Sequence, residues 1–174
     1  MRTIKYFILL GVVGMMTTFT ACEKKLDRDP ELGIDYDQVY TTEEGVLLAL
    51  NGAYDGIAGP NLFAGTSIFQ SDLLAANSST YLVWDGTFVG WRNMYRKMLN
   101  PNEGTIAAKW NVCYETINIC NNVLANLDII EDPADQDIVE GEARFIRGIL
   151  YFELVRFFAQ PYGFTAGNTH LGVP

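Results

Sequence analysis

The chain has 174 residues, of which 49% are hydrophobic and 19% charged, and its formal net charge at pH 7 is −9. Such a chain can bury one core of its own, and its composition excludes collagen-like, disordered and disulfide-framework proteins. The acidic balance argues against nucleic acid as a partner, since binding to phosphates requires an excess of Lys and Arg. The only histidine is His170, which leaves little material for a zinc site or a histidine-based triad. We therefore expect no metal, no cofactor and no catalytic residues.

Residues 1–21 have the pattern of a secretory signal peptide. Arg2 and Lys5 supply positive charge, an apolar run extends from Tyr6 to Met16, and a short Thr-rich segment leads to Cys22. A membrane-spanning anchor is the alternative interpretation, but the apolar run is shorter than the roughly 20 residues that a membrane-crossing helix needs. We therefore expect residues 1–21 to be removed as a signal peptide.

The sequence Phe19-Thr20-Ala21-Cys22, which ends this segment, resembles a bacterial lipobox. In a lipobox the cysteine sulfur is diacylated through a thioether, and the cysteine becomes the new N-terminus and is usually N-acylated. Two or more acyl chains anchor a protein stably to a membrane, whereas one chain holds it only marginally. We expect Cys22 to be the site of lipid attachment, the alternative being an ordinary buried cysteine that follows a signal peptide.

Removal of residues 1–21 takes away two of the 12 basic residues and none of the 21 acidic residues, so the formal net charge becomes −11. An acidic body suits a protein that a lipid and a short tether hold off an anionic membrane. We assign residues 22–40 to the lipidated N-terminus and tether, and residues 41–174 to a helical domain.

The first helix of that domain is predicted over residues 42–58. Thr41 or Thr42 is a suitable N-cap, acidic residues occupy the first turn, and apolar residues then recur at helical spacing. Gly59 and Pro60 end the pattern, because this pair stops a helix.

Residues 60–90 are rich in Gly, Ser, Asn and Thr and are predicted to be mainly loop, with a short helix at 68–75. A further turn or two of helix is predicted at 91–99. Asn100-Pro101 should end it, because the residue before a proline is disfavoured in helical conformation.

A long helix is predicted over residues 105–130. Its apolar residues follow steps of three and four, namely Ile106, Trp110, Cys113, Ile117, Cys120, Leu124 and Leu127. Cys113 and Cys120 are about 10 Å apart along such a helix, which is too far for a disulfide. We expect both to be buried free thiols rather than a metal pair.

Residues 131–135 are predicted to form a turn, and a strongly apolar helix follows. Between Ile149 and Ala159 only Glu153 and Arg156 are polar, and these two are spaced for an ion pair along the helix. Two long helices joined by so short a link must pack as an antiparallel hairpin. One neighbour cannot cover a helix that is apolar on nearly every side, so we expect an interior unit of a helical stack that continues beyond Pro174.

Both segments resemble a known family. The sequence GEARFIRGILYFELVRFF resembles the hallmark helix of the SusD/RagB-like outer-membrane lipoproteins, and WNVCYETINICNNVLANLD resembles the helix before it. The lipobox, LDRDP, TEEGVLLALNGAYDGI and SDLL follow in the order that is typical of the family. Small departures are Gly148, where the family usually has Ala, and Ala159-Gln160, where Gly is common.

The resemblance implies an all-α fold of tetratricopeptide-like helical hairpins with long irregular loops, of which this chain is the N-terminal portion. It also implies a lipoprotein exposed at the surface of the outer membrane. Such proteins capture oligosaccharides or polysaccharides, or peptides in some members, and deliver them to a SusC-like TonB-dependent transporter.

A ligand site is then expected in the irregular stretch that leads into the helix at 91–99. Sugar rings stack their apolar faces on flat aromatic side chains, for which Tyr81, Trp84 and Trp91 are the candidates. Sugar hydroxyls need amide or carboxylate partners, for which Asn77 and Asp85 are the candidates. The alternative is that Trp84 and Trp91 simply anchor a long loop onto the helices.

Two other classes of function stay open at this point. A helical scaffold or adhesin-type surface lipoprotein without small-ligand binding would use the same helices. A glycoside-cleaving enzyme is disfavoured, because it needs two carboxylates about 5 to 10 Å apart across a cleft. Loop acids such as Asp72 and Asp85 do not establish such a pair, so we expect a protein that is not an enzyme.

Overall fold

The computed structural model describes residues 36–77, 79 and 82–174, which form α-helices and one short 3-10 turn with no strand among them. The helices are α1 (Tyr36–Val39), α2 (Glu43–Ala58), α3 (Thr66–Ala75), α4 (Val89–Tyr95), α5 (Gly104–Ala125) and α6 (Pro133–Phe158), and the 3-10 turn is Leu127–Ile129. The all-α fold class predicted from the sequence is confirmed. Residues 1–21, Cys22 and Tyr81, on which other predictions depend, lie outside the described residues.

Helix α2 begins and ends where the sequence predicts. Thr42, one of the two candidate N-caps, accepts a hydrogen bond on Oγ1 from the N–H of Gly45 at 3.2 Å. Glu43 and Glu44 place negative charge in the first turn, where the helix dipole favours it. At the other end Gly59 is extended and serves as the C-cap.

Helix α5 ends at Ala125, so the predicted end at Ile130 is wrong. The side chain of Asn126 donates through Nδ2 to the carbonyl oxygen of Asn122 at 2.7 Å. That oxygen is the one that the N–H of Asn126 would need for the helix to continue, and the N–H instead donates to Val123 O at 3.2 Å. An asparagine side chain thus competes with the helix and converts its last turn to 3-10 geometry.

Helix α6 begins at Pro133, inside the segment that the sequence predicts as a turn. Asp132 is the N-cap and accepts a hydrogen bond on Oδ1 from the N–H of Ala134 at 2.8 Å. Pro133 is favoured at the first helical position, because it has no N–H to leave unpaired. Because α5 also ends earlier than predicted, the link between α5 and α6 comprises residues 126–132 and is longer than the predicted turn.

Helix α4 covers Val89–Tyr95, earlier than the predicted 91–99, and it ends well before Asn100-Pro101. Lys97 is left-handed, with φ of 59°, and two bonds of a Schellman cap close the helix. The N–H of Lys97 donates to Met94 O at 3.0 Å and that of Met98 to Asn93 O at 2.8 Å. Lys97 Nζ also donates to Leu73 O near the end of α3 at 2.6 Å, which ties α3 to α4.

One hydrophobic core lies between α2, α5 and α6. Its buried members are Val46, Leu50, Ala53, Leu62, Cys113, Ile117, Cys120, Val123, Ile130, Val139, Ala143, Ile146, Leu150 and Leu154. Cys113 and Cys120 are buried and free, as predicted. Gly56 lets α2 approach α5 closely, because a Cβ at this position would lie 2.4 Å from Thr116 Oγ1.

Helices α5 and α6 form the predicted antiparallel hairpin. Near the start of α5, Lys109 Nζ lies 2.9 Å from Glu153 Oε2 near the end of α6. Near the end of α5, Asn121 accepts a hydrogen bond from Arg147 Nη1 at 2.9 Å. The start of α5 thus contacts the end of α6, and the end of α5 contacts an earlier part of α6, so the two helices are antiparallel.

Candidate functional site

The structure brings Trp84 and Trp91 together through a third aromatic residue, Phe69 of α3. The ring centroid of Phe69 lies 5.2 Å from that of each indole, with interplanar angles of 67° for Trp84 and 75° for Trp91. Edge-to-face pairs of this kind contribute about 0.5 to 1.5 kcal/mol each beyond buried area. The two predicted tryptophans therefore share one aromatic cluster that also holds the irregular stretch against α3 and α4.

Trp84 has two unusual features. Its Nε1 is buried and has no hydrogen-bond partner among the described residues. Its ring lies so close to the backbone of Gly86 that a Cβ at position 86 would be 2.7 Å from Cζ2. The packing on Phe69 and Gly86 thus fixes the position of the indole.

The candidate polar partners, Asn77 and Asp85, lie on either side of Trp84 in the sequence. Asn77, just after α3, accepts a hydrogen bond on Oδ1 from the N–H of Ser79 at 2.8 Å and so forms an Asx turn. Asp85, next to Trp84, is exposed to water. Asn77 thus shapes the loop, while Asp85 presents a carboxylate beside an aromatic ring.

Phe88 is a candidate that is not among the residues predicted from the sequence. It precedes α4 and its side chain is 69% exposed, whereas Trp84 and Trp91 are half-buried. An exposed phenylalanine in the same stretch as the two tryptophans is a further platform for stacking. The sequence feature that could have identified Phe88 is its position in the same segment as Trp84 and Trp91.

An apolar groove of about 310 Å³ opens between α3, α4, the start of α5 and the end of α6. Its walls are mainly Leu74, Met94, Leu99, Ile106 and Phe157, with the carboxamide of Gln70 at one side. Gln70 is buried and donates to Thr105 O at 3.2 Å. Such a surface suits an apolar group better than a polyhydroxylated one.

A second groove, of about 330 Å³, separates α3 from the end of α6 and is more polar. Arg156 donates through Nη2 to Ser71 Oγ at 3.4 Å and lies 2.7 Å from Glu153 Oε1. The predicted ion pair between Glu153 and Arg156 is therefore present. Glu140 and Arg144 form a second pair along the same helix. Arg156 holds the two sides of this groove together rather than standing free.

Glu153 has a second partner that the sequence prediction missed. Its other oxygen bonds Lys109, and the side chains of Lys109 and Glu153 are only 1% and 5% exposed. Burial lowers the pKa of Lys109, while the hydrogen bond and charge of Glu153 raise it in part. Lys109 Nζ also lies 3.1 Å from the ring centroid of Phe157, which adds a cation–π contact.

The thiols and metal-ligating side chains of the described residues are not arranged for nucleophilic or metal chemistry. Burial raises the pKa of the Cys113 thiol to about 11, so this thiol stays protonated at neutral pH. Among the described residues, His, Cys, Asp and Glu do not gather in groups of three or more that could hold a metal ion.

No helix in the described part of the chain combines the length and apolar character needed to span a membrane.

Comparison with known proteins places this arrangement in context. Among curated proteins the chain is similar to SusD-like protein P25 of Formosa agariphila, at 24% identity over 157 residues, covering 84% of this chain and 29% of that protein. It is also similar to SusD-like protein P38 of the same organism, at 26% identity over 150 residues, covering 86% of this chain and 28% of that protein. The chain thus spans less than a third of the length of these relatives.

No solved structure is significantly similar to the chain. The family model described as "starch-binding associating with outer membrane" matches residues 26–172, which is most of the chain. That match includes every helix that the structure describes, from α1 to α6. The chain belongs to the SusD-like family of proteins.

Proposed function

We propose that this protein captures oligosaccharides or polysaccharides at the cell surface and delivers them to a SusC-like TonB-dependent transporter in the outer membrane. The observation that carries the proposal is the family match over residues 26–172, whose description is starch binding with association to the outer membrane. A lipid on Cys22 would hold the protein at that membrane, since two or more acyl chains suffice for stable anchoring.

Within this chain the aromatic cluster is the surface best suited to a sugar. Phe88 offers an exposed ring, and Trp84 and Trp91 are half-buried against Phe69, so that their unburied parts have a fixed orientation. A rigid aromatic surface loses little conformational entropy when a sugar ring stacks on it. Asp85 supplies an acceptor for sugar hydroxyls beside Trp84, and Tyr81 and Asn77 belong to the same stretch.

The same cluster also supports the alternative function, a helical scaffold or adhesin-type lipoprotein without small-ligand binding. Trp84 and Trp91 both pack on Phe69, as they would if their only role were to fix the loop. Neither function involves hydrolysis of a sugar. Asp72 and Asp85 are both exposed, and exposed carboxylates alone do not make the closely spaced pair across a cleft that a glycosidase needs.

The test is calorimetric titration of soluble α-glucans and other candidate polysaccharides into the mature chain and its variants. We expect Trp84→Ala, Trp91→Ala or Phe88→Ala to weaken binding at least tenfold, which is about 1.4 kcal/mol, with the fold retained by circular dichroism. Tyr162→Ala is the matched control, because Tyr162 is a highly exposed aromatic residue outside this stretch.

Three outcomes would contradict the proposed site. The chain could bind no polysaccharide, all three variants could bind as tightly as the wild type, or Tyr162→Ala could weaken binding equally. Binding that survives every substitution in the cluster would support sugar capture by another surface. Loss of folding in both tryptophan variants, with Phe88→Ala without effect, would favour the scaffold role.

A further inference from the structure

The polar groove between α3 and the end of α6 lies beside a cluster of three charges that do not cancel. Lys109 and Arg156 both pair with the carboxylate of Glu153, at 2.9 and 2.7 Å. Two cations on one carboxylate leave one positive charge in excess. Lys109 and Glu153 are almost fully buried, whereas the side chain of Arg156 is 46% exposed. The guanidinium of Arg156 therefore presents the excess charge to the groove.

Arg156 is held in place and still has donors to offer. Its Nη2 serves both Glu153 Oε1 at 2.7 Å and Ser71 Oγ of α3 at 3.4 Å, and the ring centroid of Phe157 lies 5.3 Å from its Cζ. Its Nε and Nη1 take part in none of the hydrogen bonds between described residues. A planar guanidinium with free N–H groups can bind two oxygens of a carboxylate or a sulfate at once. The side chain is thus ordered in advance for an anion.

The wall of the groove that α3 forms adds an unpaired hydroxyl group. Ser67 lines the groove and is only 2% exposed. Its Oγ is buried and has no hydrogen-bond partner among the described residues, although nearly all buried polar groups in proteins have one. Ser67 precedes Ser71 by four residues and so lies on the same face of α3, and Ser71 Oγ contacts Arg156. An oxygen-rich group bound at Arg156 would supply the partner that Ser67 lacks.

Asp72 is the remaining charged residue of the groove. It is exposed, and Arg156 pairs with Glu153 rather than with this carboxylate. Asp72 can accept hydrogen bonds from the hydroxyls of a sugar, which an inorganic anion does not have. The acidic balance of the whole chain is distributed over distances at which salt screens it, since the Debye length is about 10 Å at 0.1 M. The groups in the groove therefore decide what binds there.

We propose that the polar groove is a subsite for an acidic sugar. Arg156 binds the carboxylate or sulfate of the saccharide, and Ser67 hydrogen-bonds to the same sugar unit. This inference rests on the proposed function and adds to it the chemical class of the saccharide. The groove, of about 330 Å³, is at the small end of the range for ligand sites, which suits one sugar unit of a longer chain. Both walls, and the bond from Arg156 to Ser71 that spans them, belong to this chain.

The test is titration of the mature chain, carrying Cys22→Ala so that it has no lipid, with glucuronate, glucose 6-sulfate, glucose and inorganic sulfate. Nuclear magnetic resonance of the Nε–H group of Arg156 reports contact at the site, and Arg156→Lys assigns this signal by its loss. We expect saturable shifts with at least one of the two acidic sugars and none with glucose. The acidic sugar that binds more tightly identifies the anionic group as a carboxylate or a sulfate ester.

Two variants separate binding from stability, with affinity measured by calorimetry. Arg156→Gln should weaken binding of the acidic sugar at least tenfold. Arg144→Gln is the matched control, because Arg144 is an exposed arginine of the same helix that also pairs with a glutamate, and it should leave the affinity unchanged. Ser67→Ala should weaken binding without lowering the melting temperature, since its hydroxyl has no partner to lose among the described residues. A merely structural role of Ser67 would give the reverse result.

Several results would overturn the inference. These are the absence of a saturable shift with both acidic sugars, equal weakening by Arg144→Gln, and affinity that survives both Arg156→Gln and Ser67→Ala. Inorganic sulfate that binds as tightly as the acidic sugar would show an anion site without selectivity for sugars. A longer natural form of the protein in which the Arg156 signal no longer responds would show that an acidic side chain of the protein itself occupies the groove.

Failure of this inference can be told apart from failure of the proposed function. Binding of neutral polysaccharides that depends on Trp84, without binding of acidic sugars, would refute the inference alone. Binding of acidic sugars that depends on Arg156, without any binding of neutral polysaccharides, would support the inference and refute the aromatic site. The absence of both kinds of binding would refute both.

Discussion

Lys109 and Glu153 form a salt bridge inside the helical hairpin, with 2.9 Å between Nζ and Oε2 and both side chains almost fully buried. The pair joins the start of α5 to the end of α6. Glu153 also binds Arg156, which is half-exposed at the polar groove. One carboxylate therefore pairs with two cations, one inside the hairpin and one at its surface.

Loss of that carboxylate should destabilise the fold strongly. Glu153→Gln leaves Lys109 buried without its counter-charge, and breaking a buried pair on one side costs about 3 to 5 kcal/mol. Denaturation by urea, followed by circular dichroism, measures the change. Glu140→Gln is the control, because the exposed pair of Glu140 with Arg144 is expected to contribute less than about 1 kcal/mol. Equal losses of unfolding free energy for the two substitutions would show that the buried pair contributes no more to stability than the exposed pair.

The buried pair also marks the limit of prediction from the sequence. Spacing of apolar residues predicts α2, the hairpin of α5 and α6 and the burial of Cys113 and Cys120, because burial of one helix face is a local, periodic property. Lys109 shares the register of the buried positions Cys113, Thr116 and Cys120, but a pattern that counts only apolar residues passes over it.

The other differences between the predicted and the observed structure arise from single side-chain hydrogen bonds or from contacts between distant segments. Asn126 ends α5 and Asp132 starts α6 through single side-chain hydrogen bonds, which shift a boundary without changing the periodicity. In the candidate site, Trp84 and Trp91 are predicted as residue types, but their meeting on Phe69 is a contact between distant segments. No spacing rule predicts such a contact, and the unpaired Nε1 of Trp84 follows only from the packing.

Stability should depend on pH in the alkaline range through Cys113. Burial raises the pKa of this thiol from 9.0 to about 11, and the nearby charge of Lys109 opposes the shift only in part. Between these pH values the folded state keeps a proton that the unfolded state has lost, so stability falls as pH rises. At pH 10.5 the loss should be about 2 kcal/mol relative to pH 8.

Cys113→Ala isolates this contribution. The pKa of Cys120 is also raised by burial and that of Lys109 is lowered, but both groups are present in the wild type and in the variant. The difference in unfolding free energy between the two proteins should therefore shrink from pH 8 to pH 10.5. A difference that is independent of pH would contradict the assignment to Cys113.

The N-cap of α2 should respond selectively to substitution. Thr42→Ala removes the acceptor for the N–H of Gly45 and should cost about 1 kcal/mol. Thr41→Ala removes only an exposed hydrogen bond from Oγ1 to Gln38 O, so its effect on the melting temperature should be smaller. Equal shifts, or a larger shift for Thr41→Ala, would mean that the cap is misassigned.

Cys22 should be the site of lipid attachment, as the sequence before it predicts. Cells that express the wild type in the presence of radiolabelled palmitate should incorporate label into the protein, and Cys22→Ala should abolish it. Cys120→Ala is the control, because Cys120 is a buried core thiol. Undiminished label in Cys22→Ala would end this prediction.

The position of the Trp84 ring should be sensitive to Gly86. A Cβ at residue 86 would lie 2.7 Å from Cζ2 and 3.0 Å from Cε2 of the indole, so Gly86→Ala must displace the ring without removing it. We expect altered near-ultraviolet circular dichroism and a loss of polysaccharide affinity comparable to that of Trp84→Ala, at least tenfold or about 1.4 kcal/mol. Gly104→Ala, where a Cβ would meet no atom of the described residues within 4 Å, should change neither signal. If Gly86→Ala shifts the spectrum but leaves affinity intact, the Trp84 ring anchors the loop and does not contact the sugar.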